Sequence, residues 1–265
     1  MAAKQNLWQR KELLAAFALY CQMPFGKMHR SNPDVIRLAN LIGRTPSSVA
    51  MKLVNFASLD PAITSTGRHG LGNASSADKK IWDEFHKDWE QLALESANVI
   101  KPLSKNQDVV DQEAENMGFL EHVNYEGATK AVLTTVRIKQ SFFRRAVLSS
   151  YQNRCCISSL KEPKLLIASH IVPWSIDKAN RLNPRNGLCL SALHDRAFDL
   201  GLITITPKYL IKVSKQMKTH AGIAMIKTAI MEFDGTRIQL PEKFWPSQEF
   251  LEWHNKNIFD ERNRE

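Results

Sequence analysis

The sequence lacks an apolar run of the length that a membrane-spanning helix needs, about 20 residues. A protein built from transmembrane helices is therefore excluded. Residues 1–8 also lack the apolar core of a secretion signal, so we expect a cytoplasmic protein. The chain has 4 cysteines among 265 residues, too few for a disulfide scaffold, and this favours a reducing compartment.

The sequence also has fewer acidic than basic residues. It contains 27 Asp and Glu and 36 Lys and Arg, which gives a net charge of +9. The excess is uneven, because residues 141–214 contain 11 basic and 4 acidic residues and so supply +7 of it. Such concentrated positive charge predicts a polyanionic partner, with nucleic acid first. Charge alone does not distinguish this partner from an ordinary solvated basic surface.

The first 100 residues are predicted to form a helical domain. Apolar residues at three- and four-residue steps predict a helix over residues 7–20. Ser75, with an acid three residues later, predicts the start of a long helix over 76–98. Residues 101–130 are polar and have no apolar period, which is typical of an interdomain linker.

Two shorter helices within this domain are predicted on either side of a tight turn. Asn32 is predicted to cap a helix over 33–42 that ends at Gly43, and Thr45 to cap the next helix. Helix, short turn, helix is the outline of a helix-turn-helix DNA-binding motif. The side chains expected to face DNA are Arg44, Ser47, Ser48 and Lys52. A three-helix bundle with solvated basic residues is the alternative.

Residues 131–265 are predicted to form an α+β domain. A helix over 139–150 precedes two short apolar runs, from Leu165 and from Gly187, that predict paired strands. A helix over 192–199 follows the second strand. The remaining predicted elements are strands at 202–206 and 210–213 and a C-terminal helix over 247–258.

Polar residues of particular chemistry fall at the ends of these elements. His170 ends the first strand, Asn186 lies just before the second, and the following helix carries His194 and Asp199. A hairpin followed by a helix brings these pieces together. A neutral imidazole can take a proton from water, and a divalent cation can stabilise charge on a phosphate. The combination favours phosphodiester hydrolysis.

These motifs resemble those of the HNH endonuclease family, whose core is the ββα-metal fold, and within it the bacterial restriction-type members. The matching stretches are His170-Ile-Val-Pro-Trp174, Asn186-Gly-Leu188, His194 and Phe198-Asp-Leu-Gly-Leu202. The resemblance extends over residues 132–258.

The resemblance implies a role for each matching residue. His170 is implied to be the general base that activates water, and Asn186 the amide that braces the loop. His194 matches the metal ligand on the helix, and Asp199 is similar in position to a second ligand. One divalent cation is implied, Mg²⁺ or Mn²⁺ first, while an imidazole ligand also admits Ni²⁺, Co²⁺ or Zn²⁺.

The chain departs from the family pattern at the metal shell. Ser169 stands where many members carry an acidic or histidine ligand before the base. Asp195 is a rival ligand, because it lies four residues before Asp199 and shares its helix face, whereas His194 lies five residues away.

Some family members also hold a structural zinc with two Cys-x-x-Cys pairs. The corresponding positions here retain only Cys156 and Cys189, so we expect no four-cysteine zinc site.

The sequence therefore predicts a helix-turn-helix-like DNA-binding domain joined to an HNH nuclease domain that cuts double-stranded DNA. One such site cuts one strand, so a double-strand break would need a homodimer or two successive nicks. The restriction-type resemblance suggests defence against foreign DNA, including DNA with modified bases. The alternatives are a DNA-binding regulator with an inactive HNH domain and an RNA-directed HNH nuclease or toxin.

Overall fold

A computed structural model describes residues 7–67, 72, 74–100 and 130–259. The chain divides into two compact units, Met1–Phe142 and Phe143–Glu265. The predicted linker lies outside the described residues except at Lys130. Within the described part of the chain, no helix combines the length and the apolar character that crossing a membrane requires.

The first unit is helical and has an aromatic core. Phe17 lies near its centre, with ring centroids 5.0 Å from Phe56 and 6.3 Å from Trp89. The buried Tyr20 hydroxyl donates a hydrogen bond to Asp60 at 2.9 Å, so this core also contains a paired polar group. The helices are α1 (Arg10–Cys21), α2 (Pro33–Ile42), α3 (Pro46–Ala57), α4 (Pro61–Thr64), α5 (Ser76–Lys87) and α6 (Trp89–Ile100).

The predicted caps of α2 and α3 are confirmed. The Asn32 side chain accepts a hydrogen bond from the Asp34 amide at 2.8 Å, and Thr45 accepts one from Ser48 at 3.2 Å. Gly43 ends α2 in the left-handed conformation, with φ at 66°. The two helices are therefore separated by the short turn that the sequence predicts.

The predicted single helix over 76–98 is wrong, because Asp88 divides it. The Asp88 backbone is non-helical (φ −146°, ψ 84°), and its carboxylate accepts a hydrogen bond from the Gln91 amide at 2.8 Å. Asp88 thus caps α6 in the middle of a continuous apolar pattern. The predicted capping box at Ser75 and Asp78 is confirmed at the start of α5.

The second unit contains two small antiparallel sheets and several helices, and the protein is α+β as predicted. A long helix, α7 (Lys130–Ser150), crosses the boundary between the units and begins nine residues before the predicted start. The other elements are β1 (Leu166–His170), β2 (Gly187–Ser191), α8 (Ala192–Asp199), β3 (Ile203–Ile205), β4 (Ile211–Val213), α9 (Lys215–Lys218), α10 (Ala224–Ala229) and α11 (Gln248–His254).

The hairpin of β1 and β2 positions the residues of the His170 and Asn186 motifs by its register. Leu166 pairs with Ser191 and His170 pairs with Gly187, so the histidine lies at the open end of the hairpin. Helix α8 follows β2 directly and packs on both strands. A Cβ at position 187 would overlap Val147 and lie 3.1 Å from the Phe143 ring, so glycine permits the close approach of α7.

Candidate active site

His170 is held at the end of β1 by one hydrogen bond and two aromatic rings. Its Nε2 lies 2.9 Å from the Arg181 carbonyl oxygen, which can only accept, so Nε2 carries the proton. The Phe143 ring stacks on the imidazole with centroids 3.9 Å apart, and Trp174 presents an edge at 5.5 Å. Among the described residues, no hydrogen bond is made to Nδ1, which is the unprotonated nitrogen.

Burial is the largest influence on the His170 imidazole. It disfavours the charged ring and lowers the pKa to about 4, although the hydrogen bond to the Arg181 carbonyl acts in the opposite direction. The ring is therefore neutral at physiological pH, with a lone pair on Nδ1. This is the protonation state that a general base requires.

Asn186 is fully buried and holds the loop that follows β1. Its side-chain oxygen accepts from the Val172 amide at 2.8 Å, and its amide nitrogen donates to the Val172 carbonyl at 3.1 Å. The same nitrogen lies 3.3 Å from the Asn180 carbonyl, and the Asn186 carbonyl accepts from the Ile171 amide at 2.9 Å. Asn186 thus fixes the backbone immediately after His170.

Arg181 links the loop to His170 and to the neighbouring Trp174. Besides offering its carbonyl to the imidazole, it donates from Nε to the Trp174 carbonyl at 2.7 Å. Its guanidinium lies over the Trp174 indole, 5.2 Å from the ring centroid. The backbone of Arg181 therefore restrains His170, and its side chain restrains Trp174.

His194, the predicted metal ligand, does not fit that role in this structure. The residue is 3% exposed, its Nε2 donates to the Ala229 carbonyl at 2.7 Å, and its Nδ1 lies 2.9 Å from the Ser191 hydroxyl. The Cys155 sulfur lies 3.4 Å from the same Nδ1. Both ring nitrogens are committed to the protein interior, because His194 is in the first turn of α8 and faces the core.

Cys155 and His194 form a coupled buried pair. Burial opposes ionisation of the thiol, but the contact with His194 and the hydrogen bond from the Ser158 amide outweigh it and lower the Cys155 pKa to about 6. Burial also opposes charging of the imidazole, yet its contact with Cys155 raises the His194 pKa overall. All four cysteines of the chain are buried and free.

The acidic residues of α8 lie on a different face from His194. Burial raises the Asp195 pKa above its ordinary value, although Ser169 and Arg196 act in the opposite direction. Asp199, four residues on, is exposed. Among the residues that the structure describes, no three His, Cys, Asp or Glu side chains are grouped as a metal site. The chain therefore offers a partial donor set at α8.

Exposed basic side chains lie on the loop between the strands and on α8. Lys178 and Arg185 lie on the loop, Arg196 lies on α8, and all three are exposed. Arg144 is used differently, since its guanidinium donates to the Leu166 and Pro163 carbonyls at 3.0 and 3.3 Å. Exposed cations on this loop and on α8 are groups of the kind that contact phosphates.

The residues of the first unit that were predicted to read DNA differ in their solvent exposure. Ser47 is exposed and Ser48 is partly exposed, but the expectation that Lys52 is exposed is wrong. The Lys52 ammonium is buried 2.7 Å from the Asp78 carboxylate. Arg44 pairs with Glu12 at 2.8 Å, also with little exposure.

The indole of Trp8 completes the enclosure of these two basic groups. It lies 5.0 Å from the Arg44 guanidinium and 5.1 Å from the Lys52 ammonium. Their charges are thus neutralised inside the helical unit, which the helix pattern alone does not indicate. DNA reading by α3 stays a prediction, without those two side chains as its exposed contacts.

The comparison with protein families identifies the hairpin and helix. Residues 155–206 match the model of a family described as HNH endonuclease, and this stretch includes His170, Asn186 and His194. The second unit therefore carries a domain of the HNH endonuclease family, as the motifs predict, and its general class is nuclease. A search of the curated proteins found no match.

Three residues of the site were not assigned a role by the sequence. Phe143 is recognisable in the sequence as an apolar position of a helix and as part of the stretch from Gln140 that the family resemblance covers, and Trp174 as part of the His170 motif. Arg181 acts partly through its backbone carbonyl, which any residue supplies. These roles depend on tertiary packing, so residue type alone gives little signal for them.

Proposed function

We propose that the protein is a metal-dependent DNA endonuclease of the HNH type in which His170 is the general base. The observation that carries this proposal is the hydrogen bond between His170 Nε2 and the Arg181 carbonyl, at 2.9 Å. It fixes the tautomer in which Nδ1 keeps the lone pair that proton abstraction needs. The lowered pKa of His170 keeps this form populated at neutral pH.

In the proposed reaction, His170 Nδ1 removes a proton from a water molecule whose oxygen attacks phosphorus in line. The new phosphorus–oxygen bond forms as the bond to the 3′ oxygen breaks, and the departing oxygen takes a proton from solvent. The products carry 5′-phosphate and 3′-hydroxyl ends. Asn186 is a positioning residue, because it holds the Val172 backbone two residues beyond the base.

The carboxylates of α8 are of the type that a hard divalent cation prefers. Asp195 and Asp199 supply two carboxylates on one helix face, and Mg²⁺ commonly uses one or two carboxylates with water and substrate phosphate oxygens. Mn²⁺ accepts the same donors. Ni²⁺, Co²⁺ and Zn²⁺ are less favoured, because the His194 nitrogens are engaged elsewhere. A bound cation would stabilise negative charge on the phosphate and the departing oxygen.

Duplex DNA is the substrate we propose. The exposed Lys178, Arg185 and Arg196 would contact phosphates on either side of the scissile bond, and such contacts position DNA without reading its sequence. The helical unit would add further DNA contacts. A restriction-type role follows from the resemblance of the motifs alone and is proposed on that basis.

Nicking of supercoiled plasmid tests this function. Purified full-length protein is incubated with plasmid and Mg²⁺ or Mn²⁺, with and without chelator, and the ends are tested for direct religation. His170→Ala is the test variant, and His220→Ala, which replaces an exposed histidine of the same unit, is the matched control. We expect metal-dependent nicking that His170→Ala reduces at least about a hundredfold and His220→Ala leaves unchanged.

The same assay separates the alternatives. DNA retention without nicking under every metal condition would support a regulator with an inactive nuclease domain. Cleavage of RNA but not of DNA would support an RNA-directed nuclease. Equal nicking by the wild type and His170→Ala would remove the histidine from the mechanism.

A further inference from the structure

A polar cavity of the second unit lies outside the His170 site. It has a volume of about 210 Å³, and its lining includes Tyr151, Gln152, Arg154, Gln239 and Glu242. Gln152 and Gln239 are exposed at the surface, whereas Tyr151 is only 6% exposed. The cavity thus extends from solvent to a buried phenol.

Two buried donors of this cavity have no hydrogen-bond partner among the described residues. They are the Tyr151 hydroxyl and Arg154 Nε. An unsatisfied buried donor is costly, because it loses its bond to water without gaining another, so native proteins keep few of them and place them where a ligand or water completes the bond. Burial raises the Tyr151 pKa well above its ordinary value, which keeps the hydroxyl protonated and able to donate.

The walls of the cavity are fixed by backbone hydrogen bonds. The Gln239 amide donates to the Cys156 carbonyl and the Glu242 amide to the Ser150 carbonyl, both at 2.8 Å. The Gln239 side chain also donates to the Ser159 hydroxyl. The segment around residues 239–242 is therefore anchored to the turn after α7, and the cavity is formed before any ligand arrives.

The volume of the cavity and the charges that line it limit the class of ligand that the cavity can bind. One water takes up about 30 Å³ in the liquid, so the cavity holds several waters, yet it is smaller than the roughly 300–1,000 Å³ of sites for drug-sized molecules. Arg154 provides donors and Glu242 provides a carboxylate, so the lining suits a neutral group with both acceptors and donors. A phosphate would meet the Glu242 carboxylate. A single nucleobase matches both requirements.

The position along α7 relates the cavity to the His170 site. Phe143 stacks on His170, and Tyr151 follows eight residues later, directly after the last residue of α7, which corresponds to a rise of about 12 Å at 1.5 Å per residue. This distance corresponds to about three or four nucleotides of one DNA strand at 3.4 Å each. We propose that this cavity binds a nucleobase of the DNA substrate, displaced from its stack a few nucleotides from the scissile phosphate. This inference rests on the proposed function, because the DNA substrate supplies the base that the cavity would bind.

Affinity for single strands that differ only in their bases tests the proposal. The full-length His170→Ala protein is titrated with labelled strands of about twelve nucleotides, a length within the site size of single-strand binders. Three strands contain adenine alone, cytosine alone or thymine alone. A fourth contains thymine with one central guanine, and a fifth is abasic. All have the same phosphate charge, so a difference from the abasic strand reports base recognition. Chelator is present throughout.

We expect at least one base-containing strand to bind about tenfold more tightly than the abasic strand. Tyr151→Phe should reduce that ratio about fivefold and Arg154→Gln about tenfold, the losses expected for one neutral and one charged hydrogen bond. Lys161→Gln, an exposed charge change in the same unit, should reduce binding of all strands equally. Tyr151→Phe should not lower the melting temperature, because it removes a hydroxyl without a protein partner.

Equal binding of all five strands by the parent protein would overturn the proposal. So would a ratio unchanged in both cavity variants, which would place base recognition elsewhere. A lower melting temperature of Tyr151→Phe with an unchanged ratio would show that ordered water alone completes the bonds. These measurements need no cleavage, so they remain decisive if plasmid nicking fails and the proposed nuclease function is rejected.

Discussion

The Phe143 ring lies parallel to the His170 imidazole, with the centroids 3.9 Å apart and the planes inclined by 7°. Trp174 contacts the imidazole edge-on at 86°, and the Arg181 carbonyl holds Nε2. These three contacts define both the plane of the imidazole and its tautomer. The orientation of the base thus depends on a helix residue that lies outside the residues of the HNH motif.

Phe143→Leu should impair nicking through this contact. Loss of an aromatic pair is worth about 0.5–1.5 kcal/mol, so we expect kcat to fall up to about tenfold with little change in KM. Phe142→Leu, a substitution of the equally buried preceding residue, is the matched control for lost packing. Equal losses in the two variants, measured by initial nicking rates, would show that the stack has no specific role.

The His170 imidazole should remain neutral well below pH 6.5. Its pKa of about 4 predicts that nitrogen-15 NMR detects a proton on Nε2, and none on Nδ1, from pH 7 down to pH 5. His170→Gln identifies the resonance by its absence. A midpoint near 6.5, or a proton on Nδ1 at pH 7, would contradict the proposed tautomer.

The lowered pKa of His170 also predicts how the free energy of unfolding changes with pH. Between pH 6.5 and 4 the unfolded imidazole binds a proton that the folded one does not, so the free energy of unfolding falls as the pH drops. The loss reaches about 3 kcal/mol at pH 4. Urea unfolding at pH 7 and pH 5 checks this, and His170→Gln should show a smaller loss than the wild type.

Asn186→Ala should destabilise the second unit and abolish nicking. It leaves the Val172 amide and carbonyl without their side-chain partner, at about 1–3 kcal/mol for each group. Asn186→Asp keeps an acceptor for the amide but places a carboxylate against the Val172 and Asn180 carbonyls, so we expect no rescue. Urea unfolding monitors the stability, and full nicking by Asn186→Asp would show that the amide donor is dispensable.

Lys52→Ala should affect folding more than DNA binding. It leaves the buried Asp78 carboxylate without its ammonium, and breaking a buried pair costs about 3–5 kcal/mol. Lys52→Met and Asp78→Asn together should recover part of the loss, because both charges are then absent. A normal melting temperature of Lys52→Ala, with a reduced salt dependence of DNA binding, would instead restore Lys52 as a phosphate contact.

Mg²⁺ dependence should respond to Asp195 rather than to His194. Asp195→Asn should raise the Mg²⁺ concentration required for half-maximal nicking about tenfold or more, since it removes one anionic donor. His194→Gln should lower the melting temperature, because the ring bonds the Ala229 carbonyl and contacts Ser191. A tenfold shift of the Mg²⁺ requirement in His194→Gln, with unchanged melting, would reinstate the imidazole as a ligand.

The sequence predicts local structure well where a short polar residue decides it. Asn32, Thr45 and Ser75 each accept the expected capping hydrogen bond. Asp88 has the same chemistry but lies inside an apolar pattern with helical period, so the period favours a continuous helix there. The cap prevails because Asp88 accepts a bond from Gln91.

The site is less predictable than the elements that carry it. The motif places His170 and Asn186 correctly on their strand and loop, since spacing along a hairpin determines them. It does not show that His194 turns inward, because that depends on the Ala229 carbonyl 35 residues later. Nor does it show that Glu12 and Asp78 neutralise Arg44 and Lys52, since both pairs join distant parts of the chain.

The absence of a side chain at Gly187 has a consequence for engineering this domain. Even a methyl group there would press on Val147 and on the ring that stacks against His170. Positions 147 and 187 therefore share one small volume, and a combinatorial library that varied position 187 alone would return few folded clones. Varying both positions together, with a smaller residue at 147 whenever 187 gains a methyl group, would give folded variants in which the β1–β2 hairpin is displaced relative to α7.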